Sequence, residues 1–228
     1  MKFTPRFRIG RFVGIAKVAL TMMLLVASQV ASAVPISGLF NTGVDAAGNA
    51  LADGVADPHY SILVPSQAAT VINAASIPGS WVANSPTYRW VWEQANGQPT
   101  NVTLTFRTTF DLTGLDPTSA LISGQWSTDN TGIDIEINGS STGNTCGGFS
   151  SFCGFSVNSG FTSGVNTLDF IVNDFGVISG FLVGSISGTA NPINGVPSVP
   201  EPTTLLLLGL GLAGFGFVRR PFHQCSTH

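Results

Sequence analysis

Residues 132–139 read GIDIEING: isoleucines 133, 135 and 137 alternate with Asp134 and Glu136, and Asn138-Gly139 closes the run. A period of two marks a half-buried strand, because successive side chains point to opposite faces. Ile133, Ile135 and Ile137 are therefore expected inward and the two acids outward. Asn-Gly is the dipeptide that accepts the positive φ angles of a tight hairpin turn. The same alternation spreads outward from this segment. In TYRWVWEQ (87–94), Tyr88, Trp90 and Trp92 fall on one face and Arg89, Val91 and Glu93 on the other. In NVTLTFRTTF (101–110), Val102, Leu104 and Phe106 alternate with threonines and Arg107. NTLDFIVND (166–174) and GFLVGSISGTA (180–190) read as the last two strands, and Asn41 to Asp57, rich in Gly and Ala, reads as a long loop or edge segment. Short strands punctuated by Gly, Ser, Thr, Asn and Pro clusters predict an all-β fold, an antiparallel β-sandwich or jelly roll.

The charges are distributed unevenly. Of nine Lys and Arg residues, Lys2, Arg6, Arg8, Arg11 and Lys17 lie at the N-terminus and Arg219 and Arg220 near the C-terminus. Between residues 34 and 199 only Arg89 and Arg107 remain, against eleven carboxylates, a formal charge of −9. Nucleic acid is excluded as a partner, because phosphate neutralisation needs clustered Lys and Arg.

Both ends read as addresses. The basic leader is followed by the apolar run Val18–Val26 and by Ala31-Ser32-Ala33, the small-x-small pattern of a signal peptidase site. Residues 1–33 are thus expected to be a signal peptide, cut after Ala33 and handled by the secretion machinery, in preference to an uncleaved anchor. At the other end, NPINGVPSVPEP (191–202) is a Pro-rich linker, and Thr203–Val218 is an uncharged, Leu-, Gly- and Phe-rich stretch stopped by Arg219-Arg220. As a helix those residues would span roughly 24 Å, a little less than a bilayer core of about 30 Å. The double-Arg stop and the Pro-rich break favour a transmembrane helix over a buried core helix, with the arginines on the cytoplasmic side. The organisation expected is leader 1–33, β domain 34–190, linker 191–202, membrane helix and stop 203–220, and tail 221–228.

The order Pro200-Glu201-Pro202, apolar span, Arg219-Arg220 resembles the PEP-CTERM sorting signal of exported bacterial proteins. That resemblance implies processing near the Pro-Glu-Pro by a membrane exosortase, in Gram-negative cells that make exopolysaccharide. The chain departs from the pattern by running on from Pro221 to His228, with Cys225 in the extension. A second stretch, Thr105 to Asp174, is similar to galactose-binding-like jelly-roll domains. The matching residues are Trp126, Asp129, Asp134, Ile135, Ile137, Asn138 and Gly139, then Gly164, Asn166, Thr167, Leu168 and Phe170. This likeness implies a fold rather than a ligand, since many functions share that sandwich.

Cys146 and Cys153 flank a Gly-rich excursion, NTCGGFSSFCGF (144–155). Two thiols this close are expected to be oxidised outside the cytoplasm, and closing the loop contributes about 2.5 kcal/mol on the chain-entropy model. A metal or redox pair is the weaker reading, with no His nearby. Catalytic constellations are sparse. His59, with Asp57 two residues before it, is the domain's only histidine, and Glu93, Asp134 and Glu136 are the carboxylates a glycoside hydrolase could use. Asp129 and Asp134 around a turn are candidate ligands of a structural calcium, the one cofactor expected, and the loop acids Asp45, Asp53 and Asp57 lack EF-hand spacing. Trp81, between Pro78-Gly79-Ser80 and Asn84-Ser85-Pro86, is expected to be exposed and, with Trp126, is the candidate platform for stacking a sugar. The sequence therefore predicts a non-enzymatic, surface-anchored envelope protein with a structural or glycan-binding β-sandwich, in contact with exopolysaccharide. The alternatives are an extracellular polysaccharide hydrolase and a precursor whose task is to be tethered for assembly.

Overall fold

The computed structural model describes residues 32–193. The leader, the sorting motif and the predicted membrane helix lie outside the described residues, and no helix among the described residues is long and apolar enough to cross a membrane. The domain is all-β. Its strands are β1 (Val34–Pro35), β2 (Ala56–Ile62), β3 (Gln67–Val71), β4 (Val91–Trp92), β5 (Thr103–Asp111) and β6 (Leu121–Asp129), followed by β7 (Thr131–Ile137), β8 (Ser140–Ser141), β9 (Cys153–Val157), β10 (Val165–Asn173), β11 (Gly180–Val183) and β12 (Ser187–Ala190). Two three-residue 3-10 turns, at 74–76 and 117–119, complete the regular elements described.

Every pairing is antiparallel, and the strands follow one path: β1-β12-β6-β11-β4-β3-β2-β5-β10-β7-β8, with β9 added to β6. β6 and β10 are six steps apart on this path, yet Trp126 of β6 meets Phe170 of β10 at 5.5 Å between ring centres. Phe181 of β11 likewise stacks on Phe106 of β5 at 4.5 Å and lies 5.1 Å from Phe170. The sheet therefore folds over on itself into two facing layers, sandwich-like, with the short β3–β4 pairing as the hinge. Between the layers lie Tyr60, Trp90, Trp92, Trp126, Phe106, Phe170 and Phe181, all fully buried.

The strand periodicity of β5 follows the sequence pattern, with Leu104, Phe106, Thr108 and Phe110 buried. Asn138 and Gly139 both have positive φ, 51° and 76°, and join Ile137 to Ser140 as a two-residue hairpin. Three expectations need correction. Ile133 is 44% exposed, whereas Ile135 and Ile137 are buried. The ladder with β10 shifts register between Ile171, opposite Asp134, and Val172, opposite Gly132, so Ile133 is the extra residue of a bulge and turns outward. Gly132 takes the inward place because a Cβ there would overlap the Trp126 indole. Second, TYRWVWEQ contributes only two strand residues, and Trp90, Val91 and Trp92 are buried in succession because β4 sits between β3 and β11 at the fold of the sheet. Third, GFLVGSISGTA is two strands, β11 and β12, which pair with successive parts of β6.

The stretch 41–55 is a turn-rich segment carrying the Val44–Ala50 bridge. Cys146 and Cys153 are joined in a disulfide, Cα–Cα 5.5 Å. It ties the excursion between β8 and β9 to the sheet, where Cys153 is the partner of Trp126.

The bulge makes a sharp test. Ile135→Ala should cost about 2–5 kcal/mol, whereas Ile133→Ala should stay within about 0.5 kcal/mol of wild type. Urea unfolding of the two variants measures both; equal losses would mean that the register shift is not there.

Candidate functional site

Trp81 and Trp126 do not form an exposed platform. Trp126 is fully buried beside Phe170 and Gly132. Trp81 is 6% exposed and packs on Trp90 at 4.4 Å, with Phe149 at 6.3 Å. Its neighbours Ala74, Ile77, Pro78, Gly79 and Asn84 line a shallow depression that only part of the indole reaches. Local Pro and Gly suggested a loop, which is correct, but that loop is folded down onto the core by the indole itself.

The acids divide into two kinds. Most serve the local backbone. Asp134 Oδ1 accepts from the backbone N–H of Ile135 at 2.8 Å and of Gly143 at 3.0 Å, holding the β7–β8 hairpin. Asp57 accepts from Gly43, His59 and Tyr60, at 2.6, 2.8 and 3.3 Å. Burial nonetheless raises the Asp57 pKa above the ordinary value. It thus bonds the His59 backbone, while the imidazole stacks on Phe40 at 3.7 Å with its Nε2 buried and unpartnered among the described residues. Asp169 and Arg107, opposite each other on β10 and β5, form a two-pronged ion pair at 2.7 and 2.6 Å. Arg89 pairs with Asp53 at 3.3 Å. Glu93 directly follows β4, on a different part of the sheet from Asp134 and Glu136 of β7.

Asp129 and Asp174 are the exception. Asp129 ends β6, opposite Gly180 of β11, and Asp174 follows the last residue of β10. The turn at Asn130 brings them together: its N–H donates to Asn173 O at 3.3 Å, and its side-chain Oδ1 accepts from Phe175 N at 2.8 Å. Asp129 and Asp174 are 6% and 1% exposed. Asp174 Oδ2 accepts from Asn101 N at 2.9 Å, but Oδ1 of each acid is buried without a hydrogen-bond partner among the described residues. Burial, and then the neighbouring Asp174 charge, push the Asp129 carboxyl up to about 6, while the indole of Trp81 acts in the opposite sense. Asp134, the other acid expected at a calcium site, has its Oδ1 engaged by the Ile135 and Gly143 N–H groups of the hairpin, whereas the buried neighbour of Asp129 is Asp174. Asp174 went unremarked in the sequence, where it only closes an apolar strand run.

The two ends of the domain meet. β1 pairs with β12 in the register Val34–Ala190 and Pro35–Thr189, and Ile36 N donates to Gly188 O at 2.9 Å. The segment that follows the expected signal-peptidase site therefore lies beside the strand that leads to the C-terminal linker. What the linker leads to decides the sorting class. Residues 198–220 carry the PEP-CTERM protein-sorting motif. The motif includes Pro200, Glu201, Pro202, Arg219 and Arg220. That motif implies export, membrane-associated sorting and exosortase-type processing. No curated protein and no solved structure matches the chain, so the galactose-binding-like resemblance is not confirmed.

The Asp129 carboxyl carries a pH signature. Its folded pKa lies above the ordinary 3.8, so between about 4 and 6 the folded state holds a proton that the unfolded chain has released. Stability from this group is full below that window and is lost as pH rises through about 6. Asp57 shifts in the same direction, and the exposed Asp45 and Asp111, whose pKa values are lowered, shift oppositely. The comparison is therefore wild type against Asp129→Asn, by thermal unfolding in chelator from pH 4 to 7. Wild type should lose stability relative to the variant as pH rises; parallel curves would contradict the assignment.

Proposed function

We propose that this chain is a non-enzymatic envelope protein whose β domain serves as a structural module at the cell surface, held for processing by its C-terminal signal. The observation that carries this reading is the β1–β12 edge. Because the segment after Ala33 and the strand before the PEP-CTERM linker are hydrogen-bonded neighbours, a domain delivered by its leader and retained by its tail would face the membrane with a single edge. The rest of its surface would face outward, with −9 of formal charge to keep it soluble. In this reading the C-terminal span is a transmembrane helix until exosortase removes it.

The sorting class supports contact with exopolysaccharide as part of this reading. Burial of Trp81 and Trp126 argues against aromatic stacking as its basis, so the contact would use polar groups. The depression lined by Ser140, Ser141, Thr142, Ser156 and Asn158 is the hydroxyl-rich surface available for it. The non-enzymatic reading is supported by the commitments of the acids: Asp57, Asp134 and Asp169 are each used by backbone or arginine partners.

The test is fractionation of producing cells that carry the full chain or a Pro200→Ala, Glu201→Ala, Pro202→Ala variant. The wild type should appear shortened and in the surface or exopolysaccharide fraction, and the variant should stay at full precursor length in the membrane. Equal processing of both would overturn the sorting role. Release of reducing sugar from the polysaccharide by wild type would overturn the non-enzymatic reading and favour the hydrolase.

A further inference from the structure

We propose that Asp129 and Asp174 are the two anionic ligands of a calcium site at the end of the sandwich where β6, β10 and β11 meet. The inference rests on the buried pair alone and does not depend on the sorting role. Two carboxylates whose Oδ1 atoms are buried and unpartnered among the described residues are costly as anions unless a positive charge joins them. The domain cannot supply that charge from within. Its two arginines are paired with Asp53 and Asp169, and His59 is stacked on Phe40. A proton on Asp129 or an external cation are the remaining sources, and at neutral pH the cation is the one that can serve both carboxylates.

The donor set favours a hard divalent ion. Carboxylate and amide oxygens are the ligands that calcium takes, at about 2.3–2.6 Å, with water or backbone carbonyls filling the shell. Gly176 lies beside these oxygens: a Cβ there would sit 3.7 Å from both Asp174 Oδ1 and Asn130 Oδ1. The loop that contributes Gly176 is open to solvent, with Phe175 62% and Val177 88% exposed, so a hydrated ion has a route in. Calcium fits better than magnesium because the ligands come from two chain segments and one turn, a flexible set rather than a near-ideal octahedron. Bound there, the ion would join the end of β6 to the end of β10, one from each layer.

The test uses the full chain in detergent, stripped with chelator and titrated with terbium and then calcium. The Trp81 indole acts on the Asp129 carboxyl, so a bound terbium ion should emit on tryptophan excitation, and calcium should displace it. Asp129→Asn and Asp174→Asn should each weaken calcium binding at least tenfold, whereas Asp134→Asn should leave it unchanged. Calcium should also raise the melting temperature of wild type by several degrees and not that of the two ligand variants. In chelator, both ligand variants should melt no lower than wild type, because each removes a buried charge. The wild-type arm decides even if a variant fails to fold: no displaceable terbium signal and no melting shift at millimolar calcium would overturn the proposal. Undiminished calcium binding by the Asp129→Asn or Asp174→Asn chain would overturn it as well.

Discussion

Phe170 touches rings from both layers: Tyr60 from β2 on its own side of the fold, and Trp126, Phe155 and Phe181 from β6, β9 and β11 across it. Ladder hydrogen bonds run along one continuous path and hold neighbouring strands, but they do not set the distance between facing layers. That distance is set by the aromatic seam, whose rings bury large apolar areas and pack edge to face. Other features adapt to it. Gly132 yields its side chain to Trp126, and Ile133 is pushed out by the bulge that keeps Ile135 in the seam. The disulfide of Cys146 and Cys153 pins the excursion that passes over Trp126. A domain so short of lysine and arginine is held together by apolar packing and backbone bonding, with ion pairs as local fixtures.

The same scarcity of cations governs the acids. Where an aspartate is buried beside backbone N–H groups, as Asp57 is, the chain itself satisfies the charge. Where two aspartates are buried together at the end of the seam, it does so only in part: Asp174 takes the Asn101 N–H, and Oδ1 of each acid has no partner among the described residues. The Asp129–Asp174 pair thus follows from composition as much as from geometry: eleven carboxylates share two arginines, and both are used elsewhere.

Much of the fold was legible in the sequence. Alternation in 101–110, the strand in 166–174, the Asn138-Gly139 turn and the Cys146–Cys153 pairing each depend on local chemistry, and each stands in the structure. The misreadings arose where tertiary contacts override the local pattern. Ile133 looks like Ile135 until β10 imposes its register. Trp81 looks exposed because its neighbours are turn formers, and nothing in the sequence says that Trp90 and Phe149 receive it. Asp174 is 45 residues from Asp129, and only the antiparallel topology makes them neighbours. The sorting motif is the opposite case: it is a linear signal and could be read whole.

The proposed module with one membrane-directed edge ties these levels together, since the sheet that encloses the seam also places β1 next to β12. The most direct measurement of that claim is a cross-link at the edge. Pro35 and Thr189 are exposed partners in the β1–β12 register, within reach of a disulfide if the edge is formed. With Pro35→Cys and Thr189→Cys in a Cys225→Ser background, the full chain recovered from the cell envelope should form this bond. The added constraint would show as a mobility shift on a non-reducing gel that reductant abolishes. Failure to form it in folded, exported protein would mean that the two ends do not share an edge, and the account of a module presented to the membrane by one side would be wrong.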